Sequence, residues 1–254
     1  PAAPRAVRAS DPPQRVARRV MLEDPRAGKA SIHRDYLVPS YTTAGGRTIA
    51  NVRVGYETYG KLNAAGDNAI FIAHFYSGNS HAAGKYKPAD AAFGYWDPIV
   101  GSGRPIDTDK YFVISADTLA NLNTKDPNVV TTGPASIDPA TGRPYGMRFP
   151  VVSMRDSVRV HKALVDSLGV KKLVAVAGAS GGSVQAMEWG ALYPGFVDRV
   201  IHVIGPGFDI HPFVVGLLDV YRGTPYWFYG DPHGFLVAAY VILAFPYMYF
   251  SLDT

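Results

Sequence analysis

Apolar positions fall along this chain in short runs and stripes, and their spacing alternates between two periods. Residues Ala50 to Tyr59, ANVRVGYETY, alternate apolar and polar side chains, the pattern of a strand with one buried face. Ala69 to Ala73 (AIFIA), Tyr111 to Ser115 and Leu173 to Ala177 (LVAVA) are short, nearly continuous apolar runs that predict buried strands, and Val200 to Ile204 predicts a last one. Between them, residues 154 to 168 place Met154, Val158, Val165 and Leu168 on one stripe at helical spacing, with Gly169 where a helix would stop. Ser183 to Leu192 also has helical character. Strands alternating with helices predict an α/β fold, a mainly parallel sheet with helices on both faces. Residues 1 to about 30 are polar, carry prolines and lack a period, so they read as an N-terminal extension. The core is expected over residues 31–208, and 209–254 begin an apolar cap.

The most informative stretch is Gly178-Ala179-Ser180-Gly181-Gly182, which joins the run 173–177 to the helical segment from Ser183. A serine between glycines at a strand-to-helix junction is forced into a tight turn with its Oγ exposed and the N–H groups of the helix start beside it. Side chains at the flanking positions would collide with strand and helix, so the glycines have a steric reason. The bland alternative is a Gly-rich turn with no covalent chemistry.

Composition narrows the field only a little. The chain has 254 residues and a net charge of +4, more of the positive charge coming from arginine than lysine, with one basic run at Arg15 to Arg19. That run reads as a solvated face or tether, and nucleic-acid binding is not expected. With no cysteines, thiol catalysis, disulfides and thiolate metal sites are excluded. The histidines show no metal-ligand spacing such as H-E-x-x-H, and no Walker-type phosphate loop is present, so neither a metal nor a permanently bound cofactor is expected. The opening Pro1-Ala2-Ala3-Pro4-Arg5 is similar to the start of an exported protein after signal removal, which puts export ahead of the cytoplasmic alternative.

From about Val52 to Arg222 the chain resembles the homoserine O-acetyltransferase family of α/β-hydrolase-fold acyltransferases. The stretches that carry the resemblance are YETYGKLN at 56–63, HFYSGNSHAAG at 74–84, GYWDPIVGSGRPIDTDKYFVIS at 94–115, TGPASIDPATGRPYGMRFPVVSMRD at 132–156 and GASGGSVQAMEW at 178–189. The resemblance implies an α/β-hydrolase fold in which a serine attacks an acyl donor such as acetyl-CoA, a histidine takes its proton and an aspartate orients the histidine. It implies Ser180 as nucleophile, with the backbone N–H groups of Gly181 and Tyr76 as oxyanion donors. Arg143, Tyr145 and Arg222 are implied as substrate-binding residues. Three departures stand out: Gly181 replaces a bulky residue, Ser183 replaces a glycine, and NLNTKDPNVVTTGP at 121–134 replaces a shorter cysteine-containing segment. That loop is expected to border the pocket entrance.

In this fold the triad acid and base follow the nucleophile on later loops. No further strand or loop of that kind is recognisable after Ile204, so the triad Asp and His are expected outside this chain. A second polypeptide or C-terminal fragment would complete the fold, as in relatives that resemble the deacetylcephalosporin C acetyltransferase. Of the histidines present, His202 is expected to be packed within its strand, and His74 and His81 to orient the oxyanion turn. His161 is expected to be structural, and His211 and His233, with Asp209 and Asp231, to lie in polar turns of the cap. Residues 213–250 are strongly apolar and aromatic, broken by Pro225, Pro232 and Pro246. They read either as core against the missing half or as an acyl tunnel or membrane-facing lid. The expected function is serine-dependent acyl transfer, as esterase or acyltransferase on an apolar, non-homoserine ester. Homoserine O-acetylation and a non-catalytic binding module are the alternatives, and an oligomer is expected.

Overall fold

The computed structural model describes residues 20–24, 29–86, 89–90 and 92–205. The chain divides into two compact units, 1–205 and 206–254; the second, with the expected cap, Arg222, His211 and His233, lies outside the described residues. In chain order the strands are β1 (Val20–Asp24), β2 (Lys29–Thr42), β3 (Thr48–Tyr59), β4 (Ala69–Ala73), β5 (Val100–Gly101) and β6 (Ile106–Asp107). They continue with β7 (Phe112–Ala116), β8 (Ile137–Asp138), β9 (Arg143–Pro144), β10 (Leu173–Ala179) and β11 (Val200–Val203). The helices are α1 (Met154–Ser167) and α2 (Gly181–Leu192).

Seven strands form one sheet in the order β1-β2-β3-β7-β4-β10-β11. The first three are joined antiparallel and β3 runs antiparallel to β7, whereas β7, β4, β10 and β11 are mutually parallel. The parallel half follows from the connections: β7 reaches β10 through α1, and β10 reaches β11 through α2, the crossover that parallel pairing requires. β1 and β2 begin inside or just beyond the segment read as an extension. Their charged and proline positions, Arg34, Asp35 and Pro39 among them, hide the strand period.

Alternation along each buried strand sorts its side chains to two faces. Phe71 and Ala73 of β4, Ile114 of β7 and Val176 of β10 join Val158, Leu164 and Val165 of α1 and Ala186 and Trp189 of α2. Phe71 is the meeting point, with its ring 5.2 Å from that of His161 and 5.3 Å from that of Trp189. Each such fully buried side chain contributes about 1.5–3 kcal/mol relative to exposure. On the opposite face Ile70, Ile72, Val113 and Ala175 pack under Ala82, Ala83, Tyr95, Trp96 and Val100 of the long β4–β7 connection. This layer places residues 74–84 over the ends of the parallel strands, next to the start of α2.

α1 begins in a capping box: Ser153 and Asp156 exchange hydrogen bonds, and the buried Asp156 also accepts from Tyr41 Oη at 2.8 Å and Ala44 N at 2.7 Å. The helix is thereby fastened to the β2–β3 hairpin. Burial alone would raise the Asp156 pKa, but these donors outweigh it and hold the carboxyl below its usual value.

Candidate active site

Ser180 occupies the junction between β10 and α2 with φ 54° and ψ −120°. That left-handed backbone is costly for a residue with a Cβ, of order 1–3 kcal/mol, and persists only where the surroundings enforce it. Here they do. A Cβ on Gly178 would overlap the Gly182 carbonyl, and one on Gly182 would overlap the carbonyl of Ala73, so strand, elbow and helix approach at distances only glycine permits. Ser180 N donates to Val203 O of β11 at 3.0 Å, pinning the elbow from the other side. An N-cap serine ordinarily folds its hydroxyl back onto the helix start. Ser180 does not; its side chain is exposed and makes no capping bond. Ser183 Oγ instead donates to Ser180 O.

Facing the elbow is the turn Phe75–Gly78, closed by Gly78 N donating to Phe75 O at 2.9 Å. A Cβ built on Gly181 would lie 3.0 Å from the Tyr76 nitrogen, so the Gly181 and Tyr76 peptides are neighbours. Neither N–H has an acceptor among the described residues. Two free N–H donors beside an exposed serine hydroxyl are what an oxyanion-stabilising site requires.

The turn is held by side chains from four directions. His74 is fully buried; its Nδ1 donates to Phe75 O at 2.7 Å, and its Nε2 accepts from Thr118 N at 3.2 Å. Burial pushes the His74 pKa down to about 4, so the ring is neutral at pH 7 and the tautomer is set by these partners. Gln185 Nε2 of α2 donates to His74 O at 3.0 Å. Asp117, beyond β7, accepts from Ser80 N at 2.7 Å and Val130 N at 2.9 Å. The side-chain amides of Asn121 and Asn123 complete the set, donating to the carbonyls of Ser77 and Gly78.

Further along the same connection lies a buried polar cluster that sequence reasoning did not find. Glu57, near the C-terminal end of β3 and fully buried, accepts from Tyr59 Oη at 2.6 Å and from His81 Nδ1 at 3.0 Å. His81 Nε2 donates to Gly84 O at 3.1 Å, and Tyr59 Oη accepts from Ala82 N and Ala83 N. Burial would lower the His81 pKa; the hydrogen bond and charge of Glu57 outweigh it, and the net shift is upward. The signal available was a lone carboxylate in the otherwise uncharged stretch Val54–Tyr59. A pocket of about 440 Å³ opens beside the turn, with Phe75, Gly78, His81, Tyr86, Tyr95 and Asn123 among its lining. The 121–134 loop borders this pocket through Asn123, Asp126 and Asn128.

The other residues singled out in the sequence fall elsewhere. Arg143 is exposed on the β8–β9 hairpin, and Tyr145 stacks edge-on against Phe149 at 5.4 Å; their hydrogen bonds run within residues 136–148, away from the elbow. His161 lies on the buried face of α1 with Nε2 on Asp117 O at 2.9 Å, and its pKa is lowered to about 4 by burial. His202, expected to be packed, is exposed on β11, where every residue is exposed. Among the described residues no side chain is hydrogen-bonded to Ser180 Oγ, no cluster of His, Asp and Glu could hold a metal ion, and no helix is long and apolar enough to cross a membrane.

The sheet order, the strained serine elbow and the facing turn are those of an α/β-hydrolase fold. Comparison with known proteins agrees. The chain is 49% identical over 187 residues to the homoserine O-acetyltransferase of Moorella thermoacetica, covering 74% of this chain and 47% of that protein. Among solved structures it matches esterase E22 at 54% identity and a TM-score of 0.72 over 75% of this chain and 52% of that one. It also matches the homoserine O-acetyltransferase of Bacillus anthracis at 42% identity and a TM-score of 0.72, over 78% and 54%. No protein-family model matches. The chain is therefore a homologue of the homoserine O-acetyltransferases and related esterases, and it spans about half the length of the curated relatives it matches.

Proposed function

We propose that this chain carries the nucleophile and the oxyanion donors of a serine acyl-transfer enzyme. Ser180 Oγ attacks the acyl carbonyl carbon, losing its proton to a base. The tetrahedral oxyanion is received by the N–H groups of Gly181 and Tyr76. Collapse then breaks the bond to the donor's leaving group, which takes the proton, and leaves acyl-Ser180. A second nucleophile takes the acyl group by the reverse sequence. The observation that carries this reading is the exposed Ser180 hydroxyl at φ 54° beside two N–H groups without acceptors. Because the relatives are about twice as long, we assign the base and its orienting carboxylate to the part of the fold they have beyond this match, whether on this polypeptide or another.

For the substrates, the relatives' names favour acetyl transfer to homoserine, with acetyl-CoA the donor that the family resemblance implies. This reverses the order expected from the sequence, which put an apolar ester first, partly on a cap that lies outside the described residues. Hydrolysis is the second reading, favoured by the 54% identity to esterase E22.

The test is to measure O-acetylhomoserine formation from acetyl-CoA and hydrolysis of p-nitrophenyl acetate on the purified protein in parallel, with Ser180→Ala beside the wild type. Homoserine raising CoA release at least about tenfold, ~1.4 kcal/mol in barrier, supports transfer. No response to homoserine with rapid ester turnover supports hydrolysis. Turnover surviving in Ser180→Ala, or fluorophosphonate labelling at another serine, overturns both.

A further inference from the structure

We propose that Asn121 and Asn123 are positioning residues that aim the Tyr76 N–H at the oxyanion; this rests on the reading of Ser180 and Tyr76 given above. A turn of four residues has several peptide planes free to rotate, and a donor off by some tens of degrees loses most of its hydrogen bond. In this turn the planes are fixed through their carbonyl oxygens. Phe75 O receives His74 Nδ1 and Gly78 N; Ser77 O receives Asn123 Nδ2 at 2.9 Å; Gly78 O receives Asn121 Nδ2 at 2.9 Å and Asn123 Nδ2 at 3.1 Å. The Tyr76 N–H shares its peptide plane with Phe75 O, which His74 Nδ1 and Gly78 N hold, and Gly78 N in turn shares its plane with Ser77 O, the oxygen that Asn123 holds, so the asparagines act on the Tyr76 donor through the Ser77–Gly78 peptide.

The Asn121 amide is itself locked. Asn121 is buried, and its Oδ1 accepts from Asn123 N at 2.8 Å, which fixes which end of the amide donates to Gly78. Asn121 N donates to Thr131 Oγ1, whose hydroxyl donates to Thr118 O at 2.8 Å. Ala120 N donates to Thr132 O at 2.9 Å, with Ala120 itself at φ 50°, a strained position retained in the loop that presents the asparagines. Asp117 spans both segments, accepting from Ser80 N on one side and Val130 N on the other. The 121–134 loop is therefore a brace for the turn as well as a pocket edge.

The experiment uses the whole protein with p-nitrophenyl acetate and phenylboronic acid, whose adduct forms a bond from Ser180 Oγ to boron and leaves a boronate oxygen where the oxyanion forms. Asn123→Asp keeps the shape and removes the donor; Asn123→Gln keeps a donor; Asn68→Ala removes an amide that donates to Lys61 O and Lys110 O, far from the turn. Removing one oxyanion donor outright costs ~100- to 1,000-fold in kcat, so loosening its brace is expected to cost about tenfold in Asn123→Asp and more in an Asn121→Ala/Asn123→Asp pair. Boronate affinity should fall in step and KM should stay within about twofold, because the interaction is made in the transition state. Asn123→Gln should recover part of the loss, and Asn68→Ala should match the wild type. Unchanged kcat and boronate affinity in the asparagine variants, or a rise in KM alone, overturns the inference while Ser180→Ala remains inactive. Activity persisting in Ser180→Ala overturns the underlying reading instead.

Discussion

The Gln185 side-chain amide donates to the carbonyl oxygen of His74 at 3.0 Å, joining α2 to the oxyanion turn across 111 positions of sequence. Both residues are buried, and the bond crosses between the helix that starts after Ser180 and the turn that carries the Tyr76 N–H. Gln185→Leu strands the His74 carbonyl, at a cost of about 1–3 kcal/mol. Part of that is offset, since Gln185 Oε1 is itself buried without a partner and would be removed as well. We expect a lowered urea midpoint together with a reduced kcat. A lowered midpoint with full kcat would show that the tie is structural only.

The elbow glycines make a sharper prediction. A Cβ at Gly182 collides with the backbone of Ala73, which is rigid sheet rather than a side chain able to swing away. Gly182→Ala and Gly178→Ala are expected to lose activity and several kcal/mol of stability, or to give no soluble protein. Gly195→Ala meets nothing within 4 Å and should fold as the wild type does. Thermal midpoints of the three variants check the contrast.

Stability should also depend on pH with a definite sign. His74 and His161 have folded pKa values of about 4 against 6.5 for the free side chain, so the stability linked to them is complete above pH 6.5 and is lost as pH falls toward 4. Each contributes up to about 3 kcal/mol. His81 runs the other way: its raised pKa gives stability that is present below pH 6.5 and lost as pH rises through the folded value. Melting temperatures from pH 4 to 9 should pass through a maximum, and His161→Gln should shrink the acid limb. An acid limb of equal depth in that variant would refute the assignment.

Much of the scaffold was legible in sequence because it is built from fully buried strands. Ala69–Ala73 of β4 is apolar at every position and buried at every position, and the expected helix over 154–168 is α1 to within one residue. The elbow was legible because steric exclusion leaves a spelling, glycine around serine. β2 was not, because an edge-side strand half exposed to water keeps charges such as Asp35, which pairs with Arg53 of the neighbouring β3. The braces of the turn were not legible either. Asn121 and Asn123 lie in a loop without period, and their use depends on which carbonyls the fold brings within 3 Å. Likewise, Glu57 acquires meaning only once His81 and Tyr59 are folded onto it.

The bond from Ser180 N to Val203 O gives β11 a second task. A serine at φ 54° relaxes toward ordinary backbone when nothing opposes it, and the peptide that opposes it belongs to a strand exposed at all four positions at the margin of the described sheet. Fraying of that margin would release the stored strain and turn the hydroxyl away from its donors before the core itself loosened. On the proposed reading of Ser180, its reactivity thus gauges how firmly β11, the last strand of the described sheet, is seated.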